Sequence, residues 1–152
     1  MVTVDEEALR WRRLEQLYLD SPIHRELGLS LHVAGPGSAI VTFDGTDAAR
    51  NRHMNPHGGA LALMIDSVVV QTVQSMLDLD HISTIEMKAN FVRPGPKEGG
   101  LIARAELLHL GQMTAVGEGR VNDMDGGLVA VGLVTVAIRR RRKGFVSDAP
   151  TA

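Results

Sequence analysis

The sequence predicts an α+β domain in which an antiparallel sheet wraps one central buried helix, with a further helix at the N-terminus. Two observations carry this. Ala60–Leu77 is apolar on nearly every helical face, so it has to be enclosed. Around it lie segments in which apolar and polar residues alternate, the period of strands with one face buried. A central helix that must hide every face is accommodated when a sheet curls around it.

The elements follow in order. Thr3-Val4-Asp5-Glu6 reads as a capping box, in which a hydroxyl and a carboxylate satisfy free amides at a helix start. Leu14, Leu17 and Tyr18 keep helical spacing, and Asp20-Ser21-Pro22 ends the segment. Leu29/Leu31/Val33 and Ala39/Val41/Phe43 are two strands, joined as a hairpin by Gly35-Pro36-Gly37. From Gly45 to Gly59 the chain is polar and irregular, and Pro56 excludes a continuous helix there. The helix over Ala60–Leu77 is weakened locally by Val68-Val69-Val70. Then Ile85/Met87/Ala89/Phe91 alternate with Thr84/Glu86/Lys88/Asn90. Pro94-Gly95-Pro96 and Gly99-Gly100 break the chain before strands over Leu101–Leu110, Met113–Asp123 and Leu128–Arg139. The expected organisation is an N-terminal helix packing on the domain (1–22), the main domain (23–139) and a basic, then polar tail (140–152).

Composition excludes several functions. The 152 residues suit one domain with a real core. A net charge of -2 speaks against a general nucleic-acid binder, which needs surplus positive charge. With no cysteine, there are no disulfides, thiolate metal sites or thiol nucleophiles. The acidic opening lacks the basic-then-apolar order of a signal peptide, and Asp66, Gln71 and Gln74 interrupt the longest apolar stretch. A cytoplasmic protein without membrane association is the expectation.

The chemistry concentrates in Asn51-Arg52-His53-Met54-Asn55-Pro56-His57-Gly58-Gly59 and in Asp66 beyond it. Two glycines at a helix start let a ligand approach free N–H groups, where the helix dipole favours an oxyanion. The plain alternative is a tight turn with His57 near the cap. Asp66 sits among apolar neighbours with no Arg or Lys within a helical turn. It is either bonded to a neighbouring strand or hydroxyl, or it is a base or nucleophile tuned by burial; the second reading is favoured.

Asn51, His57-Gly58-Gly59, Asp66 and the strand Thr84–Pro94 together resemble the hotdog-fold acyl-CoA thioesterases of the phenylacetate-pathway (PaaI-like) type, over roughly Gly28 to Ile138. Asp125-Gly126-Gly127-Leu128-Val129-Ala130 fits more loosely. The resemblance implies hydrolysis of an acyl- or aryl-CoA, or an acyl-carrier-protein thioester, with no cofactor beyond the coenzyme A of substrate and product. It implies that Asp66 activates water or attacks the thioester, that the Gly58 amide after His57 polarises the carbonyl, and that Asn51 and Thr84 assist. Gly59, Leu63, Arg93 and Arg139 are the further candidates for holding substrate. The family often has a Gly between the Asn and the His, where this chain has Met54, Asn55 and Pro56.

Asp66 follows Gly59 by seven residues, about 10 Å along a helix. One thioester carbon cannot touch both, so the halves come from different copies. This agrees with the resemblance, which implies a homo-oligomer: a dimer with shared sites, and a dimer of dimers. His53 and His57 are kept off a common helix by Pro56, so no metal site is expected. Arg139–Lys143 reads as a solvated strand end, with contact to coenzyme A phosphates as the alternative. The rival functions are a hotdog hydratase or dehydratase and a non-catalytic acyl-CoA-binding protein.

Overall fold

The computed structural model describes residues 4–141. Thr3 of the capping box and residues 142–152 of the expected tail lie outside them. The element order is α1 (Val4–Asp20), α2 (Pro22–Leu27), β1 (Leu29–Gly35), β2 (Ser38–Phe43), a 3₁₀ turn (Asp47–Ala49), α3 (Gly58–Met76), β3 (Leu79–Phe91), β4 (Leu101–Leu110), β5 (Thr114–Asp123) and β6 (Leu128–Arg140). The helix over 22–27 was not expected. Ser21 stands at its N-cap, Pro22 in its first turn and Gly28 ends it at φ 69, so the signals were present but were read as a stop.

Six strands form one antiparallel sheet in the order β1-β2-β4-β5-β6-β3. Its inner face supplies Leu29, Val41, Phe43, Ala103, Val121, Val134 and Val136 to the core, and α3 supplies Met64, Ile65, Val68, Val69 and Val73. Close packing needs small residues where α3 crosses the sheet. A Cβ on Gly119 would stand 3.0 Å from the Ile65 carbonyl oxygen, and one on Gly132 would stand 2.9 Å from the Ile65 Cγ2.

Two expectations are corrected. The sheet does not enclose α3 on every side: Leu63, Asp66, Val70 and Gln74 stay half-buried. By length and composition α3 would also suffice to cross a membrane, but here it is the core helix. Second, β3 alternates as expected yet its apolar side is uncovered, with Ile85 60% and Phe91 55% exposed. Among the described residues this strand pairs only with β6, so its other edge carries backbone without a strand partner there.

Candidate active site

The loop before α3 is tied at both ends. Arg50 and Pro56 form an antiparallel bridge, and the His57 N–H donates to the Ala49 carbonyl at 2.8 Å. Between them Asn51 organises the turn. Its Oδ1 accepts from the N–H groups of His53 (2.9 Å) and Asn55 (3.3 Å), and its backbone accepts from the Met54 N–H at 2.8 Å. Two donors on the oxygen fix the orientation of the amide. Among the described residues the Asn51 NH₂ group has no hydrogen-bond partner, and Asn51 lines a cleft.

This turn forces Met54 to φ 65, a left-handed backbone that glycine adopts without strain. That position accounts for the glycine that the resembling family often carries here. Met54→Gly is expected to raise stability by about 0.5–1 kcal/mol, the relieved strain exceeding glycine's extra unfolded entropy. A higher denaturation midpoint with an unchanged slope checks it.

His57 is the N-cap of α3, and its Nδ1 accepts from the Gly59 N–H at 2.9 Å. The His57 carbonyl accepts from Ala60 (2.9 Å) and Leu61 (3.1 Å). Of the four free amides that start a helix, three are thus occupied. The Gly58 N–H has no such partner among the described residues, and Gly58 lines the cleft. Gly59, expected to hold substrate, has instead given its amide to the cap.

The cleft has a volume of about 470 Å³ and is walled by Asn51, Gly58, Leu61, Phe91, Arg93 and Pro94. A Cβ on Gly58 would meet the Phe91 ring at 3.5 Å, ordinary contact, so folding alone does not demand glycine here. Phe91 escaped the sequence reading because it looked like one more inward residue of an alternating strand. Arg93, a candidate for holding substrate, lines the cleft, and its guanidinium is ion-paired with Asp123. That pairing, chiefly, holds the Asp123 carboxyl below the usual range, and the Gly127 N–H adds to it.

Asp66 lies elsewhere. It is half-buried, not buried as expected, and its Oδ1 accepts from the Thr84 hydroxyl on β3 at 2.6 Å. Eight residues separate Gly58 from Asp66, about 12 Å of helix rise. Within one chain the structure brings together Asn51, Gly58 and Arg93, and separately Asp66 and Thr84. Leu63 is half-buried and packs on the core. Arg139 is exposed and pairs with His81, whereas Phe91 pairs with Ala130 nine residues earlier on β6. At about 3.3 Å per residue that is about 30 Å from the cleft, so Arg139 and Arg93 cannot share one ligand site within a chain.

Residues 55–130 match the Thioesterase superfamily. The chain is 24% identical over 123 residues to 1,4-dihydroxy-2-naphthoyl-CoA hydrolase of Listeria monocytogenes, covering 80% of this chain and 98% of the relative. It is 28% identical over 108 residues to acyl-coenzyme A thioesterase PaaI of Escherichia coli, covering 70% of this chain and 74% of that one. The solved E. coli PaaI structure superposes with a TM-score of 0.76 at 24% identity, over 92% of this chain and 97% of that chain. A Streptococcus mutans protein solved with acetyl-CoA bound superposes with a TM-score of 0.67 at 23% identity, over 76% of this chain and 91% of that one.

Proposed function

The chain belongs to the thioesterase superfamily and has its hotdog fold, and from that premise we propose that it hydrolyses an acyl-CoA thioester at a site assembled from two chains. Acyl-CoA thioester hydrolysis is the activity common to the two curated relatives. The finer reading concerns which atoms perform it. The observation that carries it is the single free amide at the start of α3. Gly58 and Asn51 line one cleft, and among the described residues neither the Gly58 N–H nor the Asn51 NH₂ has a hydrogen-bond partner, which suits oxyanion donors.

The thioester oxygen accepts from Gly58 in this reading, and Asn51 orients the carbonyl or the attacking water. Asp66 of a second copy takes a proton from that water, whose oxygen adds to the carbonyl carbon. Collapse of the oxyanion breaks the carbon–sulfur bond. The leaving thiolate takes the proton from Asp66, giving acid and coenzyme A. Thr84 holds one carboxylate oxygen, which leaves the other free for the water. The open edge and uncovered apolar side of β3 are the natural seat for the second copy, by strand pairing and burial together. Assembly of such dimers in pairs belongs to the same reading, as does a cytoplasmic location.

A panel of acyl- and aryl-CoA esters with detection of free thiol tests the activity. Thiol release is expected; hydration of an unsaturated ester without thiol release favours a hydratase, and binding without either favours a non-catalytic role. Thr84→Ala should lower kcat about tenfold, the loss of one hydrogen bond to a charged group. An unchanged kcat would place Thr84 outside the machinery.

A further inference from the structure

Among the described residues lining the cleft beside Gly58, Arg93 is the one Asp, Glu, Lys or Arg. Its guanidinium is held in place. Nη2 donates to the Asp123 Oδ2, and Nη1 donates weakly to the Pro94 carbonyl at 3.5 Å. Asp123 is itself held by the turn between β5 and β6, where its Oδ1 accepts from the N–H groups of Asp125 (3.1 Å) and Gly127 (2.8 Å). That turn has room for the guanidinium because residue 127 is glycine: a Cβ there would collide with the Arg93 Nη2. The Asp123 side chain is 16% exposed and that of Arg93 41%, so the carboxylate is the more buried partner and the guanidinium stays accessible to a ligand. A guanidinium has five N–H donors in one plane, and three of these have no partner among the described residues.

We propose that Arg93, positioned by Asp123, donates to the first amide carbonyl of the substrate's pantetheine arm, the uncharged linker next to the thioester sulfur. The proposal rests on the reading of the Gly58 amide as the seat of the thioester oxygen. Two arguments favour this carbonyl over the phosphates of coenzyme A. The first is charge: Asp123 cancels the charge of Arg93 at close range, so the pair suits a neutral acceptor, and the same carboxylate would repel a phosphate. The second is distance. Phe91 adjoins Gly58, since a Cβ on Gly58 would meet its ring at 3.5 Å. Arg93 follows Phe91 by two residues, about 6.6 Å of extended chain. In a pantetheine thioester the first amide carbon is five bonds from the thioester carbon, about 6 Å when extended, whereas the nearest phosphorus is fourteen bonds and about 17 Å away. A guanidinium one strand step from Gly58 matches the nearer group.

The test presents one acyl group, chosen as a substrate of the wild type, on three carriers: coenzyme A, N-acetylcysteamine, which ends just after the first amide, and ethanethiol, which lacks it. Arg93→Met should lower kcat/KM on the first two by the same factor, about ten- to thirtyfold, the worth of one hydrogen bond to a charged group. It should thereby remove most of the wild type's preference for the N-acetylcysteamine ester over the ethanethiol ester. The loss should fall in KM, because the bond is made equally in ground and transition states. Asp123→Asn keeps an oxygen for the Asp125 and Gly127 N–H groups and ends the ion pair, so it should show the same pattern more weakly. The double variant should be no worse than Arg93→Met; additive losses would deny Asp123 its positioning role. A loss confined to the coenzyme A ester places Arg93 at the phosphates and overturns the proposal. An equal loss on all three carriers makes the pair structural and overturns it too, as does no loss at all. If Arg93→Met does not fold, Asp123→Asn carries the same three-carrier comparison. Absence of thiol release from every ester by the wild type would instead refute the thioesterase reading itself.

Discussion

Asp66→Asn is expected to lose at least about a hundredfold in kcat while folding and binding acyl-CoA as the wild type does. The amide has the shape of the carboxylate, and its oxygen can still accept the Thr84 hydroxyl that bonds Oδ1 at 2.6 Å. What it loses is basicity and nucleophilicity. Asp66 is half-buried and its helix surroundings are apolar, so its packing contribution is modest and survives the change. The sheet leaves this face of α3 open, and a second chain closing over it would supply the desolvation that tunes a catalytic carboxylate. Circular dichroism and the denaturation midpoint should match wild type. A variant that keeps more than half the wild-type kcat would make Asp66 a structural residue bonded to a strand hydroxyl. Single turnover in ¹⁸O-labelled water separates the two ways a carboxylate can act: direct attack by water labels the product acid, whereas a covalent intermediate labels Asp66.

The strands and the core helix were legible because their signals are local. Period-two alternation located β1, β2 and β4–β6 to within a residue or two, with Met113 falling just before the strand that starts at Thr114. The Thr84–Asp66 bond joins two residues eighteen apart in the chain, both of which the resemblance had named as site residues. Less legible was what each face meets. Alternation in β3 could not reveal that Ile85 and Phe91 stay largely exposed in one chain, because a face waiting for a partner and a buried face have the same composition. For the same reason Asp66 was placed in a buried setting that one chain does not provide. The residue pattern by itself also hid which amide is free, although the resemblance named Gly58. Gly58 and Gly59 are equivalent as letters, and only the His57 cap, bonded to the Gly59 N–H at 2.9 Å, distinguishes them. Ser21-Pro22 is a stop for one helix and a start for the next, and the sequence reading took only the first meaning.

Two inactive variants should restore each other when they are allowed to share a dimer. Asn51→Asp keeps the oxygen that accepts from His53 and Asn55, so the loop holds. It removes the NH₂ donors and sets a negative charge beside the developing oxyanion, a loss expected on the order of a hundredfold. Asp66→Asn disables the other half. In one chain these halves are about 12 Å apart along α3, too far for one carbonyl carbon. Each mixed dimer therefore has one site carrying both defects and one carrying neither. The decisive measurement is kcat after the two variants are unfolded together and refolded in equal amounts. Random pairing makes about half the dimers mixed, so about a quarter of the wild-type activity per site should return, against about one per cent in either parent. If the mixture stays as inactive as its parents while mixed dimers are demonstrably present, the site lies within one chain and the shared-site account is wrong.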